Sequence, residues 1–293
     1  MQPYRPEGLW AVTPGPDALR QGVENREIFS GLCTKCDEFH NLHVNLGSIR
    51  GIIPREEAAL GIAEGRTREI ASMSRVGKPV CFQIIGFDSA GTAILSRRAA
   101  QLEARSYLFS TLQPGDILHA VVQNTTDFGV FCDIGCGFSA LLPIDRCCIS
   151  RLVTAADLYH PGQVIPVAML AIDDAEGLIH LTGRELLGTW AENAESFRQG
   201  QTVTGIARSV MPYGIFVELT PNLSGLAEPM PGIQMGDGVS VFIRAILPEK
   251  HKVKLNILEK LPAPLPVRPE FFITSGHIGR WEYFPGSKAV TYF

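Results

Sequence analysis

No apolar run in the sequence approaches the ~20 residues that span a bilayer, so no membrane-spanning helix and no membrane partner is expected. The opening residues, MQPYRPEGLW, lack a basic start followed by an apolar stretch, so no secretory signal is read there. Charged residues make up only 19% of the 293, apolar residues 45%, and the net charge is −4. That composition excludes a disordered or collagen-like chain. There is no GxxxxGK[ST] phosphate loop, no GxSxG, no HExxH and no paired-carboxylate constellation. An enzyme is therefore not expected, nor a cofactor, nor a small-molecule substrate. The seven cysteines are odd in number and scattered, apart from the adjacent Cys147 and Cys148. Reduced thiols in a cytoplasmic chain are the expectation rather than a disulfide framework.

What the chain does have is glycine and proline, 29 and 20 residues, spread along its length. This favours many short strands and turns. It also has an internal repeat. Gly115 opens GDILHAVVQNTTDFGVFCDIGCGFSALLPI, and Gly200, 85 residues later, opens GQTVTGIARSVMPYGIFVELTPNLSGLAEP. Both continue into a second half, PGQVIPVAMLAID and MGDGVSVFIRAIL, and end in a short strand, GLIHLT or HKVKLN. A weaker third copy, IFSGLCTKCDEFHNLHVNLGSIRGIIP, lies upstream and ends in TAILSRR.

Within each copy the apolar period is two. Val130, Cys132 and Ile134 share one face, with Phe131 and Asp133 on the other; Ile215, Val217 and Leu219 oppose Phe216 and Glu218. Such alternation marks half-buried antiparallel strands. Five strand signals per copy point to a small closed barrel. The expected fold is all-β: barrels over 26–98, 115–185 and 198–262, after an N-terminal extension, residues 1–25. Segments 99–114 and 186–197, rich in Ala, Leu and Glu, read as short helical connectors. Residues 263–293 are a proline-rich stretch followed by an aromatic tail, expected to form strands and pack on the body. Leu9–Val12 is expected to add a strand over the first or third barrel.

The aromatic on the polar face carries the functional reading. Phe131 follows Phe128 in DFGVF, and Phe216 follows Tyr213 in PYGIF, each pair separated by a glycine. Two neighbouring rings on an open barrel face make a platform on which unpaired bases stack. These segments resemble the RNA-binding domain of ribosomal protein S1, a five-stranded OB-fold barrel. The likeness is strong in the second and third copies and partial in the first. It implies non-catalytic binding of single-stranded RNA such as mRNA, in translation or RNA metabolism, with the ribosome as an expected partner. It also implies that RNA-facing positions include the two aromatics, a later His, and an Asp and a basic residue before the last strand. In the second copy these are Phe128, Phe131 and Asp173, with Pro143 at the His position and no basic residue near Gly177. In the third they are Tyr213, Phe216 and Lys252, with Glu228 at the His position. In the first, His40 and His43 fall where the rings belong.

Charge locates the site further. Residues 115–185 hold three Lys and Arg against nine Asp and Glu, whereas 26–98 and 198–262 each come to +2. The third copy unites Tyr213 and Phe216 with Arg208, Arg244, Lys252 and Lys254, so stacking and phosphate contact are expected to coincide there. The other copies are expected to add reach. Cys33, Cys36, His40 and His43 invite a zinc reading, but ligands this close on one strand and turn argue against it, and no metal is expected. The rival to RNA holding is a protein-interaction scaffold on the ribosome or in an RNA-degrading complex, since OB barrels also bind proteins.

Overall fold

The computed structural model describes residues 4–9, 15–263 and 268–293; the strand expected at Leu9–Val12 and the middle of the proline-rich stretch lie largely outside them. The chain is all-β, with three closed five-stranded barrels. Helix α1 (Pro16–Asn25) precedes the first barrel, made of β1 (Ile28–Cys36), β2 (Leu42–Leu46), β3 (Ile49–Ile53), β4 (Pro79–Phe87) and β5 (Ala93–Ser96), with α2 (Ile70–Met73) between β3 and β4. Helix α3 (Arg97–Thr111) leads to β6 (Ile117–Thr125), β7 (Gly129–Gly135), β8 (Phe138–Pro143), β9 (Val164–Asp173) and β10 (Leu178–Thr182). Helix α4 (Trp190–Ala194) leads to β11 (Thr202–Met211), β12 (Gly214–Thr220), β13 (Leu223–Ala227), β14 (Gly238–Leu247) and β15 (Lys252–Lys260). The tail forms β16 (Arg280–Glu282) and β17 (Val290–Tyr292). All three barrels run in one circuit: first, second, third, fifth, fourth strand. The third and fifth strands are the parallel pair in each.

The chain divides into two compact units. One holds residues up to Leu112 with His119–Val121 and Asp133–Ser139. Its first-barrel core is Phe29, Val44, Leu46, Ile53, Val80, Phe82 and Leu95. Helix α3 starts at Ser96, whose hydroxyl accepts from the Ala99 amide at 2.8 Å and so satisfies one orphan donor. Ala100, Ala104 and Leu108, spaced by four, give α3 its buried stripe. Beside it, Arg97 grips Glu7 with two bonds of 2.7 and 2.9 Å, and the Glu7 amide donates to Asp133 at 2.7 Å. Asp133 also accepts from the amides of Gly135 and Gly137, shaping the two-residue turn in which Cys136 and Gly137 both have positive φ. Burial, together with the charge of Glu7, pushes the Asp133 carboxyl up to about 7. Glycines in GCGF thus serve the hairpin, and Asp133 is enclosed rather than on an open polar face.

The other unit holds the rest of the second barrel, the third barrel and the tail. Ile215, Val217, Val239, Val241, Val253 and Leu255 form the third-barrel core, and Trp281 and Tyr283 of the tail extend it. Helix α4 is short but well capped: Thr189 and Glu192 bond each other's amides, while Trp190 and Ala194 are buried. The Tyr283 hydroxyl donates to the Asn222 carbonyl, and the Trp190 amide donates to the Tyr283 carbonyl at 2.9 Å. The aromatic tail is therefore part of the core, as its composition implies. Cys147 and Cys148 are buried thiols, and burial pushes Cys147 up to about 12.

Because the tail supplies two buried aromatics, removing residues 263–293 is expected to lower the melting temperature by more than about 5 °C, the shift that a loss of a few kcal/mol produces in a domain of this size. A scanning calorimetry or circular dichroism melt checks this; an unchanged midpoint would mean the tail does not stabilise the unit.

Candidate nucleic-acid interface

The third barrel gathers the expected site from four strands. In β12 the inward side chains are Ile215 and Val217, which leaves Phe216 on the outer face and half-buried. Its cross-strand neighbour on β13 is Leu226. Tyr213, just before the strand, is 67% exposed and stands edge-on to Phe216, with ring centroids 6.4 Å apart at 87°. Gly214 between them has a steric reason: a Cβ there would lie 2.6 Å from the Ala227 carbonyl oxygen, so any other residue would force β12 and β13 apart.

The cations follow from register. In β15, Val253 and Leu255 point inward and Lys252 and Lys254 outward. The parallel pairing sets Lys254 opposite Leu226, one strand beyond Phe216. On β14 the register slips between Ile243 and Ala245, so Arg244 is the extra residue of a β-bulge and turns out to solvent. Tyr213, Phe216, Arg244, Lys252 and Lys254 line one open cleft of about 580 Å³, with Ser224, Glu228 and His251. Arg244 is partnered by Glu228 at 3.1 Å. Lys252 and Lys254 form no ion pair among the described residues.

His251 was not singled out by the sequence. Its backbone is left-handed (φ 49°), its ring stacks on Phe284 of the tail at 4.1 Å and 11°, and Trp190 meets it edge-on at 5.5 Å. The tail thereby fixes one wall of the cleft.

Arg208 is a correction. It is 6% exposed and does not reach the cleft. Its guanidinium grips Glu218 with bonds of 3.0 and 3.1 Å and also bonds Asp157 at 2.8 Å. The cause is a bulge between Ala207 and Ser209, which breaks the alternation within a run of four buried residues, Gly205, Ile206, Ala207 and Arg208. Glu218, counted from its parity as a polar-face residue, is 1% exposed because Arg208 covers it.

The other barrels keep the scaffold and change the chemistry. Phe128 is 57% exposed and meets Phe131 edge-on at 5.9 Å and 86°. The residue opposite Leu141 on β10 is His180, in the place of Lys254, and the β9 bulge residue is Leu170, in the place of Arg244. His180 thus occupies the basic position of the second barrel, three residues beyond Gly177, and only the strand register reveals it. Asp173 pairs with Leu178 at the end of β9 and accepts from the Glu176 amide at 3.0 Å. In the first barrel, His43 pairs with Ile52 as Phe216 does with Leu226, so the alignment of copies holds. Yet His43 bonds Asp37 at 3.0 Å, and His40 bonds Glu69 at 2.5 Å. Against the upward push of burial, hydrogen bonds from His43, Asn41 and Phe39 hold the Asp37 carboxyl down at about 2. These imidazoles are tethered to carboxylates, not open as a platform, and the corresponding bulge residue is Ile85. Cys33 is buried, and among the described residues no three potential ligands gather for a metal ion.

Residues 111–183 match the family described as S1 RNA binding domain. The chain is 29% identical over 240 residues to small ribosomal subunit protein bS1 of Leuconostoc lactis, covering 75% of this chain and 54% of that protein. It is 27% identical over 260 residues to bS1 of Neisseria meningitidis serogroup B, covering 82% and 45%, and 27% identical over 263 residues to the bS1 homolog of Bacillus subtilis, covering 84% and 66%. It spans about half the length of the first two of these relatives.

Arg208→Ala leaves the buried Glu218 without its partner, and is expected to cost about 3–5 kcal/mol of stability. The double change Arg208→Met/Glu218→Leu should recover most of it. Urea unfolding measures both; a stable Arg208→Ala protein with weakened RNA affinity would instead return Arg208 to the interface.

Proposed function

We propose that this chain of three tandem barrels, of which residues 111–183 match the S1 RNA binding domain family, holds single-stranded RNA, without catalysis, in the cleft of its third barrel. The observation that carries this is the meeting of an aromatic pair, Tyr213 exposed and Phe216 half-buried, with an outward arginine and two lysines that form no ion pair among the described residues, all in one groove. Tyr213 and Phe216 offer ring faces to unpaired bases, each stacked base being worth about 1–3 kcal/mol irrespective of sequence. Lys252, Lys254 and Arg244 meet the phosphates, and the release of counterions supplies a salt-dependent share of the affinity. The groove is open, so a continuous strand can pass through it.

The likeness to small ribosomal subunit proteins supports a role in translation, holding mRNA in the cytoplasm near the ribosome. The first barrel, with its imidazoles tethered and Ile85 and Ile94 in the cation positions, contributes little to RNA contact.

Two measurements test this. Tyr213→Ala/Phe216→Ala should weaken binding of a twelve-nucleotide oligo-U strand at least about tenfold, a loss of at least one stacked base, while the folded fraction is unchanged. An unchanged dissociation constant would remove the third barrel from the interface. Separately, Lys252→Ala and Lys254→Ala should each flatten the slope of log affinity against log salt by about 0.7, the value for one phosphate on a single strand. Equal slopes in wild type and variants would show that these lysines do not touch phosphate.

A further inference from the structure

The second barrel keeps the aromatic pair but none of the cations. Phe128 and Phe131 stand where Tyr213 and Phe216 do, 85 residues earlier. The bulge position that offers Arg244 to the third-barrel cleft is Leu170, and the partner of Leu141 is His180 in place of Lys254. By the same register Leu178 takes the place of Lys252, so the pairing Leu178↔Asp173 answers Lys252↔Leu247. The turn that supplies His251 to the third-barrel cleft is, in the second barrel, the acidic turn Asp173–Asp174–Ala175–Glu176–Gly177.

The rim is acidic on the other side as well. Phe128 is preceded by exposed Asp127, and the Ile144 amide donates to the Phe128 carbonyl at 2.9 Å, which brings Asp145, 73% exposed at its side chain, next to the ring's own backbone. Asp145 shares Arg146 at 3.7 Å, whereas Asp127, Asp174 and Glu176 form no ion pair among the described residues. A stacked base would tolerate the rings, but its phosphates would meet carboxylates at two edges. Like charges there oppose binding instead of contributing to it.

We propose that this aromatic face docks a basic, extended protein segment, rich in lysine or arginine and interspersed with apolar side chains. Phe128 and Phe131, with Leu170 and Leu178, receive the apolar side chains and the aliphatic stems of the cationic ones. A guanidinium or ammonium group over the Phe128 ring gains a cation–π contact. Asp127, Asp173, Asp174 and Glu176 meet the remaining charge. Complementarity of this kind gives orientation and association rate as well as affinity. The array would then hold two polymers on separate barrels, RNA on the third and a basic protein segment on the second.

The test uses the full chain and a fluorescein-labelled dodecapeptide, (Lys-Pro-Arg-Leu)3, with (Glu-Pro-Glu-Leu)3 as control, read by anisotropy at low and moderate salt. The basic peptide should bind and the acidic one should not. Phe128→Ala/Phe131→Ala, which keeps every charge, should weaken the basic peptide at least about tenfold, and so should Asp173→Asn/Asp174→Asn/Glu176→Gln, which keeps the rings. Tyr213→Ala/Phe216→Ala should leave peptide binding unchanged. Retention of peptide affinity in the Phe128/Phe131 variant would mean nonspecific charge adhesion and would overturn the proposal. So would loss of oligo-U affinity in that variant with peptide binding intact, because the face would then be an RNA site. Neither result depends on the third-barrel variants, so the two readings fail separately.

Discussion

A single residue inserted into the fourth strand of each barrel governs what its outer face can offer. Between a strand pair held in fixed register, the bulge turns one side chain outward beside the parallel-paired fifth strand. That residue is Ile85 in the first barrel, Leu170 in the second and Arg244 in the third. Opposite it stand Ile94, His180 and Lys254. The backbone is repeated three times, and only the third copy fills both positions with permanent cations. Function on this scaffold is a matter of which side chains occupy a set of places that the fold repeats.

The rest of the third barrel maintains that set. Gly214 lets β12 and β13 close up so that the Tyr213 and Phe216 rings stand edge-on across one groove. Arg208 and Glu218 neutralise each other inside the wall rather than on it. The C-terminal tail has a part in this too: Phe284 stacks on His251, whose ring lines the groove, while Trp281 and Tyr283 anchor the tail in the core. An element remote in sequence thus shapes the floor and wall that RNA would meet.

Much of this was legible beforehand. The period-two alternation, the 85-residue repeat of the second and third copies and the weaker copy upstream point to three barrels, and five of the six positions expected in the third copy line one cleft. What escaped has definite physical causes. Arg208 departs from its expected face because a bulge breaks the parity by which strand faces alternate, and a bulge leaves no signature in a single sequence. Asp133 and Glu218 were placed outward by that parity, but Glu7 and Arg208, distant or bulged, cover them. His180 came to light only from the parallel pairing with Leu141, and His251 only from tertiary stacking with the tail. Local pattern fixed the strands; contacts between distant segments decided which polar groups remain free.

The most direct measurement is photocrosslinking of a 4-thiouridine-substituted single strand to the intact chain, with adducts mapped by mass spectrometry. Adducts at Tyr213, Phe216 and the Lys252–Lys254 stretch are the predicted result. A map centred on Phe128 and Phe131, with the third-barrel groove bare, would contradict the account.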